Sequence, residues 1–536
     1  MKLMSRIHFL LAAGWFCAAT AQADPIITSW FTVNSGLYAR VTQTNGATAQ
    51  TTWPSAGVAN NNTGSASQTL PAYSDVQRVC YSASNVYINA SGLASYIMGP
   101  WYGSAAQNNP WGFWPLSQNY TVSITRTPSP ATTPKPAHMG GPVGLMVNGV
   151  VIYDLGDAFS FKQTNATPAT STTAGGTDST QGDGWWYRDA LAVEVVTFDT
   201  GFAHQPGNNG QYHYHAEPKA LRYQLGDNMN ATYNSTNKTY TYLEATNNTN
   251  LRHSPILGWS FDGYPIYGPY GYSNRTNAAS AVSRMRSGFV LRNGQNGTTD
   301  VTATGRTTLP KWAAAAQNYP NPGNVNPVTL SPTNYGPATT YTSVNGPNTT
   351  LYSLGRYSAD YDYLGDLTNS GTHAYYQQGT DFDLDQYNGR NCVTPDFPGG
   401  TYAYFVSIDS AGNPAFPYML AKQYHGVKNG SAQGVTIPPT GITNYFLGGT
   451  NLQEVLKAPA VNSASGTVTL TWSSIEGGSY VLLSKTNLAS ANWTTNTLLS
   501  AATNTLLTTA LDAGAARTNA ALFYRILRTG VAPFKQ

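Results

Sequence analysis

The sequence predicts a mainly β protein in two parts, a large β-rich domain followed by a small β-sandwich. Three observations predict it. Runs that alternate in polarity or are rich in β-branched and aromatic residues recur along the chain, as in "NVYINASG", "VGLMVNGVVIYDLG", "LAVEVVTF", "TYAYFVSID" and "VTLTW". No window of useful length keeps a 3.6-residue apolar period. Charged residues make up only 10% of the 536 residues, while Gly, Asn, Thr, Ser and Tyr are abundant, a composition that suits polar loops on an extended scaffold.

The first residues, "MKLMSRIHFLLAAGWFCAATAQA", read as a secretory signal peptide over 1–23. Lys2 and Arg6 precede an apolar stretch too short to span a bilayer, and Ala21-Gln22-Ala23 forms a cleavage site. The mature chain is thus expected outside the cytoplasm, secreted or in the cell envelope. Removing Lys2 and Arg6 leaves 26 basic residues against 25 acidic ones, so the net charge falls to about +1. That balance gives no electrostatic reason to expect nucleic acid or an anionic membrane as partner. No second long apolar run occurs, so no membrane span is expected in the mature chain.

The large domain is assigned to residues 24–455. Within it "TNATPATSTTAGGTDSTQGDG" (164–184), "NMNATYNSTNKTYTYLEATNNTN" (228–250) and the stretch near 317–350 read as long solvated loops. From 456 to 536 the texture changes to short strands spaced by turn residues, with Trp472 ending one alternating strand and Tyr480 beginning another. About seven such strands fit an immunoglobulin- or fibronectin-like sandwich.

Chemistry concentrates at "GQYHYHAEP" (210–218). Residues two apart in a strand share a face, so an extended segment puts His213, His215 and Glu217 on one side and Tyr212 and Tyr214 on the other. Two imidazoles so placed can bind one zinc, copper or iron ion. His204 and His253 lie nearby, so four of the eight histidines in the chain fall within 50 residues. These four are the candidate metal ligands, with Glu217 as a further ligand or the catalytic base. The alternative is a set of core histidines bonded to backbone carbonyls. The cupin pattern is also weighed, but Lys219 and Ala220 stand where it usually places its glutamate.

"TFDTGFAHQPGNNGQYHYHAEP" followed by "HSPILGWSFDGYPIYGPYGY" resembles the YHYH domain family, named for the tetrad Tyr212-His213-Tyr214-His215. Further segments agree in order from "YINASGLASYIMGPW" (87–101) to "AFPYMLAKQYHG" (415–426), so the resemblance spans roughly 80–426. It implies an exported protein of undefined biochemical activity. Cys80 and Cys392 both fall in the resembling region and are expected to pair as a disulfide, two buried free thiols being the alternative. Asp262, in "SFDGYPIYGPYG", is a candidate for orienting a ligand histidine from behind, as are Tyr212 and Tyr214. The 36 tyrosines support a second reading, in which an exposed aromatic surface binds extracellular glycan or an envelope component and the histidines are structural.

Overall fold

The computed structural model describes residues 25–30, 39–44, 49–51, 57–60 and 67–70. It also describes 72–447 except 110, 112, 133–134, 136, 139, 164–174, 181–185, 237–238, 246–250, 318–345, 370 and 373, and then 459–473, 479–500, 507–513 and 521–530. The expected signal peptide lies outside the described residues, as does most of the stretch near 317–350.

The molecule is strand-rich and built from many small sheets around one larger one. The larger sheet has seven strands: β1 (Pro142–Met146), β2 (Val151–Tyr153), β3 (His213–Tyr214), β4 (Ile256–Ser260), β5 (Pro265–Tyr267), β6 (Gly389–Cys392) and β7 (Thr401–Phe405). Their order is β3-β2-β1-β4-β5-β7-β6. All residues of β4, β5 and β7 are buried, as befits strands covered on both faces. The run "VGLMVNGVVIY", expected to be strand, forms β1 and β2 as an antiparallel hairpin. Gly149 makes its turn at φ +80°, and a Cβ there would lie 2.6 Å from the Cβ of Ala90. A four-stranded antiparallel sheet joins Thr443–Leu447, Val76–Tyr81, Asn85–Ala90 and Tyr120–Thr125 in that order.

Three segments differ from the sequence reading, one of them 164–184, expected to be a loop, in which Gly176–Ser179 is a strand paired with Gly156–Gln163. "LAVEVVTF" alternates like a strand but forms α1 (Ala190–Glu194) followed by a 3-10 turn at Val195–Thr197. Asp189 decides this, since its Oδ1 accepts the Ala192 N–H at 3.1 Å and caps the helix. The stretch 228–250 was expected to be a loop, yet it contains the antiparallel strands Met229–Asn234 and Thr239–Glu244. The alternation of "TYTYL" puts Tyr240 and Tyr242 into the main core, which supplies the burial that a free loop lacks.

Cys80 and Cys392 are buried free thiols, so the expected disulfide is absent. Cys80 lies in the four-stranded sheet and Cys392 at the far edge of the seven-stranded one, where each strand's register fixes its side chain separately.

In the C-terminal part, Ala460–Asn462, Thr467–Ser473 and Leu507–Asp512 form one antiparallel sheet, and Thr494–Ser500, Ser479–Lys485 and Phe523–Gly530 form another. Among the described residues, the strands Thr467–Ser473, Ser479–Lys485 and Phe523–Gly530 supply a small core of Leu470, Trp472, Tyr480, Leu482 and Ile526, while Ala460–Asn462 is exposed throughout. That core is separate from the clusters of the larger part. The junction expected near 456 lies outside the described residues.

Separate cores lead to a direct expectation. A chain ending at Lys457 stays folded and soluble by circular dichroism and gel filtration, and aggregation of that chain would show that the parts share a core. In the full chain Trp472→Ala removes about 3–5 kcal/mol from the C-terminal melting transition alone.

Candidate metal centre

The centre is assembled at the edge of the seven-stranded sheet. Strand β3 pairs in parallel with β2, with Val151 opposite His213 and Ile152 opposite Tyr214. On its other side His213 forms a bridge with His204, the two backbones exchanging N–H···O bonds of 2.9 and 3.2 Å. The turn feeding β3 needs Gly210, at φ +64°, because a Cβ would meet the Leu116 side chain at 2.6 Å and the Trp114 carbonyl at 2.8 Å. His204 follows a tight turn in which Phe202 is held at φ +73° and Asp199 Oδ1 accepts the Ala203 N–H at 3.2 Å. A bulky side chain in the left-handed region is strained, and here the strain sits next to a candidate ligand.

The three rings converge. His213 Nε2 lies 3.1 Å from His204 Nε2 and 3.0 Å from His215 Nε2. Their protonation follows from their other nitrogens. His213 Nδ1 donates to the Gln211 carbonyl at 2.7 Å, and His215 Nδ1 donates to the Asp154 carbonyl at 2.7 Å. His204 Nδ1 is 2.7 Å from Thr197 Oγ1, whose only proton is already given to the Glu194 carbonyl at 2.7 Å, so His204 Nδ1 is again the donor. Each neutral ring therefore carries its proton on Nδ1, and three bare lone pairs face one another. Nitrogen atoms without a proton between them cannot hydrogen-bond.

Protonation does not relieve this arrangement. The rings are buried, and burial holds His204 and His213 well below the usual histidine value and brings His215 down to about 4. A cation satisfies the lone pairs instead. Two ligands each about 2.1 Å from an ion and 90–109° apart are about 3.0–3.4 Å from each other, which matches the 3.0 and 3.1 Å separations from His213.

A fourth donor, Glu194, was not anticipated from the sequence. Its Oε2 is 3.3 Å from His215 Nε2 and 3.5 Å from His204 Nε2, and it has no hydrogen-bond partner. Burial, with Asp157 and Asp189 adding to it, pushes this carboxyl up to about 8. The side chain is 27% exposed as a whole, but the Oε2 that faces the histidines is buried with them. Glu194 is the lone charge in "LAVEVV", and that polarity break was the available signal. Around the site, Tyr153 stacks on His213 at 3.8 Å, and Phe198 meets His204 edge-on at 4.7 Å.

The other expected residues lie elsewhere. His253 precedes β4, three strands from β3 and so roughly 14 Å across the sheet. Its Nδ1 donates to the Ser254 carbonyl and its ring packs against Tyr267 and Tyr272. Glu217 does not share the histidine face, because the extended segment ends at Tyr214 and Pro218 starts helix α2 (Lys219–Gln224). It is fully buried and pairs with Arg222, which also holds Asp227 and Glu244. The hydrogen bonds of Asp262 go to no histidine side chain among the described residues. It accepts from the Tyr404 hydroxyl at 2.7 Å and from the Gly426 N–H at 2.8 Å, tying the β4–β5 turn to distant segments. Tyr212 and Tyr214 do take the face opposite the histidines, where their hydroxyls lie 2.9 and 2.6 Å from that of Tyr96.

No curated protein and no solved structure matches the chain. A family model described as YHYH protein matches residues 121–415, more than half of the chain and inclusive of the converging histidines. On that match and the tetrad at 212–215, the chain belongs to the YHYH family.

Proposed function

We propose that this is an exported metal-binding protein in which His204, His213 and His215 hold one transition ion and Glu194 supplies a carboxylate to it. The observation that carries this reading is the meeting of three Nε2 lone pairs with a carboxyl oxygen that has no hydrogen-bond partner. Three imidazoles and one carboxylate suit zinc, copper or iron. The rings are held from behind by two carbonyls and a threonine hydroxyl, as ligand histidines commonly are. A bound ion would supply Lewis-acid or redox chemistry beside the Glu194 carboxyl. The role of base that the sequence suggested for Glu217 passes in this reading to Glu194, since Glu217 is enclosed by Arg222.

Export is supported by the N-terminal signal pattern. No helix among the described residues is long and apolar enough to cross a membrane. The glycan-binding alternative has less support, because Tyr212, Tyr214, Tyr264, Tyr267, Tyr402, Tyr404, Tyr418 and Tyr424 are all core residues rather than a surface platform.

The purified mature protein is expected to carry about one equivalent of transition metal by elemental mass spectrometry, and His213→Ala with His215→Ala is expected to abolish it. A protein that neither retains nor takes up zinc, copper or iron contradicts the reading.

The two glutamates give a sharper contrast. Glu194→Gln lowers metal affinity about 10–100-fold in a chelator competition, the range for altering a supporting or weak ligand. Glu217→Gln leaves metal content unchanged but lowers the melting temperature, because it disturbs the buried Arg222 cluster. The opposite pattern would return the metal role to Glu217.

A further inference from the structure

Behind the histidines lies a chain of phenols whose hydrogen bonds run one way. Tyr212 donates to Asp199 Oδ2 at 2.6 Å. Its single proton is then used, so the 2.9 Å contact with Tyr96 requires Tyr96 to donate to Tyr212. Tyr96 is used in turn, and the 2.6 Å contact with Tyr214 requires Tyr214 to donate. Asn148 Nδ2 donates to the Tyr214 oxygen at 3.4 Å. The chain thus runs Asn148 to Tyr214 to Tyr96 to Tyr212 and ends on one carboxylate. All three phenols are fully buried. Asp199 is itself fixed, its Oδ2 accepting the Gly99 N–H at 2.8 Å.

A buried phenol cannot lose an electron cheaply while it keeps its proton, since a buried cation would result. Tyr212 has a carboxylate in line to take that proton. Other phenols also donate to carboxylates, among them Tyr402 to Asp385 and Tyr418 to Asp189. Tyr212 differs in two ways. Its oxygen also accepts from a second phenol, which stabilises an oxygen that has lost its proton. It is also the residue next to His213, so one peptide unit links it to a proposed metal ligand.

We propose that Tyr212 is a redox-active tyrosine that passes one electron to a copper or iron ion at the histidines. The proposal rests on the metal reading above. In the step the phenol O–H bond breaks, the proton goes to Asp199 Oδ2, and the electron reduces the oxidised ion by one unit. Tyr212 becomes a neutral phenoxyl radical and Asp199 a carboxylic acid. Peroxide is the terminal oxidant: one peroxide takes the electrons and protons of two such steps, one in each of two protein molecules, and leaves as two waters beside two phenoxyls.

The test uses the full mature protein loaded with copper(II), treated with hydrogen peroxide and frozen for electron paramagnetic resonance. Metal content is measured on the same samples. A phenoxyl signal is expected in the native protein, and Tyr212→Phe reduces it at least about tenfold, whereas Tyr445→Phe at an exposed site leaves it unchanged. Asp199→Asn slows its formation about tenfold, the worth of one charge-assisted hydrogen bond. If Tyr212→Phe does not fold, Tyr96→Phe, which keeps the Tyr212–Asp199 bond and loses only the hydrogen bond donated to the Tyr212 oxygen, must form a signal weaker than the native protein's but faster than Asp199→Asn does. Copper that binds without producing the radical, or a radical equally strong in Tyr212→Phe, overturns the relay and leaves the metal reading standing. Copper that does not bind overturns both.

Discussion

Three imidazole nitrogens, each bearing a lone pair and no proton, are forced to within about one hydrogen-bond length of their neighbours at the edge of a sheet. Most of the surrounding structure reads as the means of enforcing that contact. The Gln211 and Asp154 carbonyls and the Thr197 hydroxyl take the Nδ1 protons, which fixes both tautomer and ring orientation. Asp154 cannot drift, because its carboxylate is held by Lys422 and by the Gly140 N–H. Asp199 secures the turn before His204 and the phenol before His213 at once. Without these anchors, lone-pair repulsion in the ion-free site would push the rings apart.

The elements that deliver the four donors are individually weak. Strand β3 has two residues, α1 has five, and His204 comes from a strained turn. Such pieces hold their positions through tertiary packing rather than through intrinsic preference. The Arg222 cluster provides one of the clamps just beyond the tetrad. One guanidinium is surrounded by Glu217, Asp227 and Glu244, all buried, so α2 is bound to the Thr239–Glu244 strand. A buried charge cluster of this kind costs desolvation and adds little net stability, but it permits few alternative arrangements.

Much of the architecture was legible in the chain. The β-branched and aromatic runs in "NVYINASG", in the "VGLM…VVIY" pair, in "TYAYF" and in "VTLTW" marked real strands; "VTLTW" alternates because one face is buried, whereas "TYAYF" is buried on both. The failures have a common cause. "LAVEVVTF" has the same alternation, but a capping aspartate just outside the window sets its conformation, and a period-2 pattern over so few residues cannot resist it. Strand periodicity does not carry past Tyr214 to Glu217, because Pro218 turns the chain into α2.

By itself the sequence determined the β-rich class, the tetrad and the alternation that separates its histidines from its tyrosines, since these depend on local periodicity and on side-chain chemistry. It also placed His204 close enough in the chain for a bridge to His213. Only the tertiary structure decided the composition of the centre. Proximity in sequence made His253 as plausible as His204, yet strand order carries it three strands away, and Glu194 enters because a short capped helix aims it across the same opening. Ligand sets are made by distances between elements, and those distances are fixed by sheet order and packing, which local sequence patterns do not encode.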